Sequence, residues 1–374
     1  MDDFLEILQA SLPEIIGGLI LAAILAAVAA VYNKHGQLHA LWRRLFRRKC
    51  VEIDRTTQVV VQPFLDHSEL LGRFQFTRER VIARVHEEYE PVYSDDIRSA
   101  FDELNVKKRS KGLNGYYPGP RFRPIAPPKI SSINLELDLS PLNYAFVALM
   151  KDEEADSFTK QRVREALSKV REPLSAGLRS DHPHFNVHSY NILGTEICLM
   201  ASDGFTLLRK RGKHVLTGKR RWDVSASGHP VPYDVTHDQL DLTRTVQREV
   251  EDEIGGISGD PRRIIFTGLH RNKTSGDIDL LAFWPIDDSA ERLGKLITEK
   301  YPDQRTRIFK TTRRARESYV WDTDNLIIEF DGHIILQALQ DEGVSLEDFV
   351  PEALACLELA LMAHDRPTLG LALS

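Results

Sequence analysis

The pattern of apolar and polar positions divides the chain into three parts. Residues 15–32, IIGGLILAAILAAVAAVY, carry no charge, and a helix of that length just crosses a hydrocarbon core about 30 Å thick. One transmembrane helix is expected there, behind an extracytoplasmic arm of residues 1–14. That arm holds Asp2, Asp3 and Glu6 and no Lys or Arg, the reverse of a basic signal-peptide start, so a cleaved leader is the weaker reading. Residues 51–184 read as an α+β extension of unknown role. Within it, residues 59–61 suggest a short strand, 68–88 and 95–104 mixed helical stretches, and 112–128 a Pro/Gly-rich irregular loop. Ile133, Leu135, Leu137 and Leu139 alternate as one face of a strand, and Val163, Ala166, Leu167 and Val170 repeat at helical spacing.

From residue 185 the pattern becomes short apolar runs separated by turns. Strands are predicted over 186–193, 196–201, 205–210, 222–226, 264–269, 278–284 and 327–330, with Asp203-Gly204 as a hairpin turn. Leu242, Val246, Val250 and Ile254 predict a helix that Gly255-Gly256 ends. Residues 346–362, rich in Leu and Ala nearly all round, predict a buried helix that closes the other face of the sheet. Residues 185–374 therefore form the second expected domain, and the chain as a whole is α/β.

Charge changes this picture mainly at the membrane. Lys34, Arg43, Arg44, Arg47, Arg48 and Lys49 make residues 33–50 a basic juxtamembrane segment, which places the rest of the chain in the cytoplasm and the N-terminus outside. Gly18, Ala22, Ala26 and Ala30 recur every fourth residue. That stripe would let two spans pack closely, although alanine is common in such segments. The net charge of −6 gives no reason to expect nucleic acid. Cys50, Cys198 and Cys356 lack metal-ligand spacing and read as reduced thiols. Arg121 and Arg123, set among Tyr116, Tyr117 and Phe122, are more simply part of a packed loop than a base-stacking platform.

The candidate chemistry lies in Arg248-Glu249-Val250-Glu251-Asp252-Glu253-Ile254-Gly255. On a helix, Glu249, Asp252 and Glu253 gather on one face, and the repulsion among them calls for solvation or a cation. This stretch resembles the second half of the Nudix box, G-x5-E-x7-R-E-U-x-E-E-x-G-U. Gly228 stands at a plausible start and Asp234 where the first glutamate would be. Asp252 and Asp234 replace glutamates and Gly256 replaces the last aliphatic residue. Thirteen residues, not seven, separate Asp234 from Arg248. The excess is expected to lengthen a loop rich in Pro and His and to leave the helix intact. Asp241 is an alternative upstream acid or the helix N-cap.

The resemblance implies a Nudix-like α/β/α sandwich with a mixed sheet. It also implies Mg²⁺, with Mn²⁺ as the alternative, held by Glu249, Asp252 and Glu253. Glu249, Glu253 and Arg248 would be the catalytic set, with Arg248 pairing a carboxylate, and Gly228 would bind substrate near the phosphates. Glu317, after a basic run from Arg305 to Arg316, is a further candidate acid. The implied function is hydrolysis of a nucleoside diphosphate linked to another moiety. The alternative is a non-catalytic nucleotide sensor or effector at the membrane, since tethered domains of this layout look like proposed effectors of bacterial antiphage signalling.

Overall fold

A computed structural model describes residues 68–212, 220–273, 275–309, 324–341 and 344–364. The expected span at 15–32, its small-residue stripe, the basic segment 33–50, the strand at 59–61, Cys50 and Glu317 with most of its basic run lie outside these residues. Among the described residues no helix is long and apolar enough to cross a membrane. The described residues belong to one compact unit, and among them the fold is α/β with seven helices and three sheets.

The strands are β1 (Ser68–Phe76), β2 (Val81–Val85), β3 (Pro120–Pro124), β4 (Lys129–Ile130), β5 (Leu135–Asn143), β6 (Leu193–Met200), β7 (Phe205–Lys210), β8 (Trp222–Asp223), β9 (Ala226–Gly228), β10 (Val235–Thr236), β11 (Gln239–Leu240), β12 (Ile265–Asn272), β13 (Ile278–Pro285), β14 (Thr306–Phe309) and β15 (Asn325–Glu329). The helices are α1 (Asp95–Ser110), α2 (Tyr144–Lys151), α3 (Ser157–Ser168), α4 (Leu242–Glu253), α5 (Ala290–Lys300), α6 (Gly332–Asp341) and α7 (Pro351–Ala363).

The central sheet runs β1-β12-β13-β6-β9 and is mixed, because β13 and β6 pair in parallel while its other pairs are antiparallel. Successive side chains on a strand point to opposite faces. Leu193, Ile197, Leu280 and Ala282 therefore meet Val246 and Val250 of α4, while Cys198, Met200, Leu281 and Phe283 meet Leu357 and Leu361 of α7. The predicted closing helix is thus present, shorter than expected and buried around most of its circumference. A second sheet, β10-β11-β2-β5-β3, and a third, β14-β15-β7-β8, flank this sandwich. Helices α1, α2 and α3 enclose a separate apolar cluster around Phe101 and Phe146.

Several expectations change. Residues 68–88 are mainly the strands β1 and β2, with helix limited to single 3₁₀ turns at Arg78–Arg80 and from Glu87. Irregular register against β12 breaks the alternation of β1 and hid it. Ile133 lies outside β5 and is exposed, although Leu135, Leu137 and Leu139 are buried together as predicted. The turn at Asp203-Gly204 exists, with Gly204 at φ 79°, but it carries the chain from the central sheet into the third instead of joining two paired strands. Because β1 of the extension is the central sheet's edge strand, the composition change at 185 does not separate two cores.

The excess residues before α4 are not a loop. They form the hairpin β10–β11, in which Val235 faces Leu240 and Thr236 faces Gln239. His237 and Asp238 supply the two positive φ values, 50° and 59°, of a tight two-residue turn. Gln239 docks the hairpin on Arg84 of β2. An antiparallel hairpin returns the chain to where it left, and Asp241 N–H donates to Asp234 O at 2.9 Å to close its base. The insertion therefore displaces neither Asp234 nor α4.

Candidate functional site

Helix α4 starts where Asp241 accepts hydrogen bonds from Thr243 N (3.1 Å) and Arg244 N (3.3 Å), so this residue is the N-cap. The helix ends at Gly255, whose φ of 108° suits glycine. Between these ends Leu242, Val246 and Val250 face the core, which turns Arg248, Glu249 and Glu253 toward β9 and the third sheet.

Arg248 fastens the loop to the helix. Its Nη2 donates to Asp234 Oδ2 (2.9 Å) and His229 O (2.8 Å), its Nε to Asp234 Oδ1 (3.3 Å), and its Nη1 to Glu249 Oε1 (2.7 Å). Asp234, only 2% exposed, also accepts from Thr245 Oγ1 (2.9 Å) and Val231 N (3.1 Å). Glu249 Oε1 accepts from His229 N (3.1 Å). Burial opposes ionisation of Arg248, but the Asp234 and Glu249 carboxylates overcome it and hold the guanidinium protonated. Gly228 is glycine for a steric reason, because a Cβ there would overlap the Glu249 carboxylate.

A cavity of about 530 Å³ opens between α2, the central sheet and the third sheet. Gly228 lines it, as does Glu253 of α4. Glu249 lies behind Gly228, and Asp252, with a 63% exposed side chain 3.6 Å from Arg248, faces solvent. Glu253 thus lines the cavity, Glu249 sits behind Gly228, and Asp252 stays at the exposed edge, 3.6 Å from the same Arg248 Nη1 that holds Glu249 at 2.7 Å. Glu253 pairs with Arg209, yet burial, helped by Asp223 and Glu249, raises it to about 7. Burial also raises Glu249, against the pull of Arg248. Burial lowers His229 to about 3, so its imidazole is neutral.

Arg121 and Arg123 are part of a packed segment. Arg123 is fully buried and donates to Tyr89 O (2.7 Å) and Ser189 O (2.6 Å), while the Arg121 guanidinium lies 5.7 Å from the Tyr144 ring centroid. Cys198 and Cys356 are free and buried, as expected.

Sequence reasoning missed the rest of the cavity. Glu196 of β6, Asp223 of β8, Asp279 of β13 and Glu352 of α7 line it, together with Lys151, Lys210 and Arg211. Among the described residues, the ligand atoms of His270, Asp279 and Glu352 lie within 4.8 Å of one another. The available signal was an acid at a core-facing strand position, as in Ile278-Asp279-Leu280-Leu281. Nothing local links that acid to Glu352. No protein-family model matches this chain, and no curated protein matches it.

Proposed function

We propose that this chain is a membrane-anchored diphosphate hydrolase of the Nudix type, with a Nudix-like α/β/α sandwich, acting on a nucleoside diphosphate linked to another moiety. The observation that carries the reading is the joining of Gly228, Asp234, Arg248 and Glu249 into one fastened unit beside Glu253, at the mouth of a cavity of ligand size. The tether rests on the uncharged run 15–32 and its basic flank, which put the site in the cytoplasm.

The donor set fits Mg²⁺, or Mn²⁺, in part. Glu249 and Glu253 offer hard carboxylate oxygens where burial penalises negative charge, a penalty that a divalent cation would relieve. Asp252 does not join them in this arrangement. When bound, such an ion neutralises phosphate oxygens and acidifies a water molecule. The proton of an attacking water would go to whichever of Glu249 and Glu253 the ion leaves uncoordinated. Lys210 brings positive charge to the cavity, where diphosphate oxygens would need it, while Arg209 and Arg211 there are paired with Glu253 and with Asp223 and Glu352. Arg248 acts indirectly, by holding Glu249 and the Gly228 loop.

A second reading, a nucleotide sensor without turnover, is favoured by two observations: Asp252 faces solvent, and Glu253 is already engaged by Arg209. The test is incubation of the full chain in detergent with a panel of nucleoside diphosphate derivatives and Mg²⁺, following products by mass spectrometry. Turnover abolished in Glu253→Gln supports the hydrolase. Saturable nucleotide binding without products supports the sensor, and neither result sinks both readings.

A further inference from the structure

We propose that Glu196, His270, Asp279 and Glu352 form a separate site for a first-row divalent transition ion, Mn²⁺ or Zn²⁺, between the central sheet and α7. These residues come from β6, β12, β13 and α7, and none belongs to α4. Strand alternation puts Glu196, His270 and Asp279 on the α7 face, opposite the face that α4 covers.

Three of the four already converge. The ligand atoms of His270, Asp279 and Glu352 lie within 4.8 Å of one another, and His270 Nδ1 is 3.8 Å from Asp279 Oδ2. Two ligands of one such ion, each at about 2.1 Å, can be separated by no more than roughly 4.2 Å. Closing that group of three asks only for small side-chain rotations, and Glu196 would join it from the same cavity. Asp279 has room to approach because its neighbour across the parallel pair is Gly194, where a Cβ would overlap the Asp279 carboxylate.

Glu196 supplies an independent observation. It is 4% exposed, lines the same cavity as Asp279 and Glu352, and its Oε2 has no hydrogen-bond partner. Glu352 Oε2 is in the same condition. Buried carboxylate oxygens are ordinarily satisfied, so two without a protein partner beside one cavity are available to a ligand there. The charges acting on Glu196 are those of Asp223, Asp279 and Glu352 against one guanidinium, Arg211. Arg211 is itself shared, 3.4 Å from Asp223 Oδ2 and 3.8 Å from Glu352 Oε1. A divalent cation would satisfy both carboxylate oxygens and the surplus charge together.

The donor set selects the ion. One imidazole with carboxylates suits Zn²⁺ or Mn²⁺, whereas Mg²⁺ prefers an all-oxygen shell and keeps its waters. Because Glu196, Asp279 and Glu352 line the cavity, an ion they hold would have an open side toward whatever enters it.

The test uses the full chain in detergent, stripped with chelator and then loaded separately with MnCl₂ and ZnCl₂. Metal retained after desalting is counted by mass spectrometry, and X-ray absorption on the wild type reads the ligand shell. About one equivalent of at least one of the two ions should remain in Glu253→Gln, in which the other acidic pair has lost a donor, and at least as much in the wild type. It should fall at least tenfold in Glu196→Gln and Glu352→Gln, and the shell should contain one imidazole nitrogen. Absence of retained ion in the wild type, retention unaffected by both glutamine variants, or a shell without imidazole would overturn the proposal. The last readout needs no variant and stands even where a variant fails to fold.

Discussion

Arg248 is the residue whose removal separates fastening from chemistry most cleanly. Arg248→Met keeps much of the side-chain length but removes both donors to Asp234, leaving a 2% exposed carboxylate with only the Thr245 hydroxyl and the Val231 amide. Breaking a buried ion pair from one side typically costs about 3–5 kcal/mol. Because a quarter of the Arg248 side chain is exposed, the lower end applies here, about 3 kcal/mol. For one compact unit larger than about 250 residues each kcal/mol shifts melting by about 2 °C or less, so melting should fall on the order of 5 °C. Asp234→Asn should cost less, about 1 kcal/mol, because Arg248 keeps His229 O and Glu249 and can reach water. The double variant removes the stranded charge, so it should be more stable than Arg248→Met alone, with a coupling of roughly 1–3 kcal/mol. Calorimetry or denaturant melts of the four full-length proteins measure this cycle. Additive losses, or an Arg248→Met protein within about 0.5 kcal/mol of wild type, would refute the fastening role.

Gly228→Ala should force the Glu249 carboxylate off His229 N and Arg248, lowering any hydrolysis on the order of 10²-fold, since misplacement by about 1 Å has effects of that size. Wild-type turnover in that variant would show that Glu249 need not sit where it does. Replacing residues 236–239 with Gly-Gly should cost about 1–2 kcal/mol through the lost Gln239–Arg84 pairing and the bond from Val85 N to Asp238 O, yet leave turnover or nucleotide binding intact, because the hairpin starts and ends at one place. Loss of activity there would give the hairpin a role in the site. Asp152, buried beside Lys108 Nζ at 2.7 Å and Tyr116 Oη at 2.5 Å, tests the other end of the fold. Burial raises its carboxyl, but Lys108, Tyr116 and the Glu154 amide together hold it below its ordinary value. Its stabilisation is thus complete above about pH 4 and lost as pH falls through the depressed value. Asp152→Asn should cost about 2 kcal/mol at pH 7, less than a fully stranded buried charge, because Lys108 keeps Glu154 at 3.7 Å. It should also flatten the acid limb of a melting curve taken from pH 6 to 2, and an unchanged limb would contradict the assignment.

What the sequence disclosed and what it concealed follow from the range of each interaction. Helix α4 was legible to its ends because every determinant is local: an N-cap at Asp241, apolar residues four apart, and a glycine where φ turns positive. Strands β12 and β13 were legible because their apolar runs are short and bounded by turns. The edge strand β1 was not, because its pairing with β12 is irregular and a broken register erases the alternation that marks a strand. The insertion was visible as an excess of residues, but its harmlessness was not. That depends on strand pairing between residues 235 and 240, which only a hairpin turn at His237-Asp238 makes possible. The acids of the cavity were the least legible feature, since Glu196, Asp279 and Glu352 are brought together by β6, β13 and α7. Each of these acids, read alone in an apolar segment, is an isolated cost of burial. Only the parallel pairing of β6 with β13, under a helix from the far end of the chain, turns three separate costs into one shared demand for positive charge.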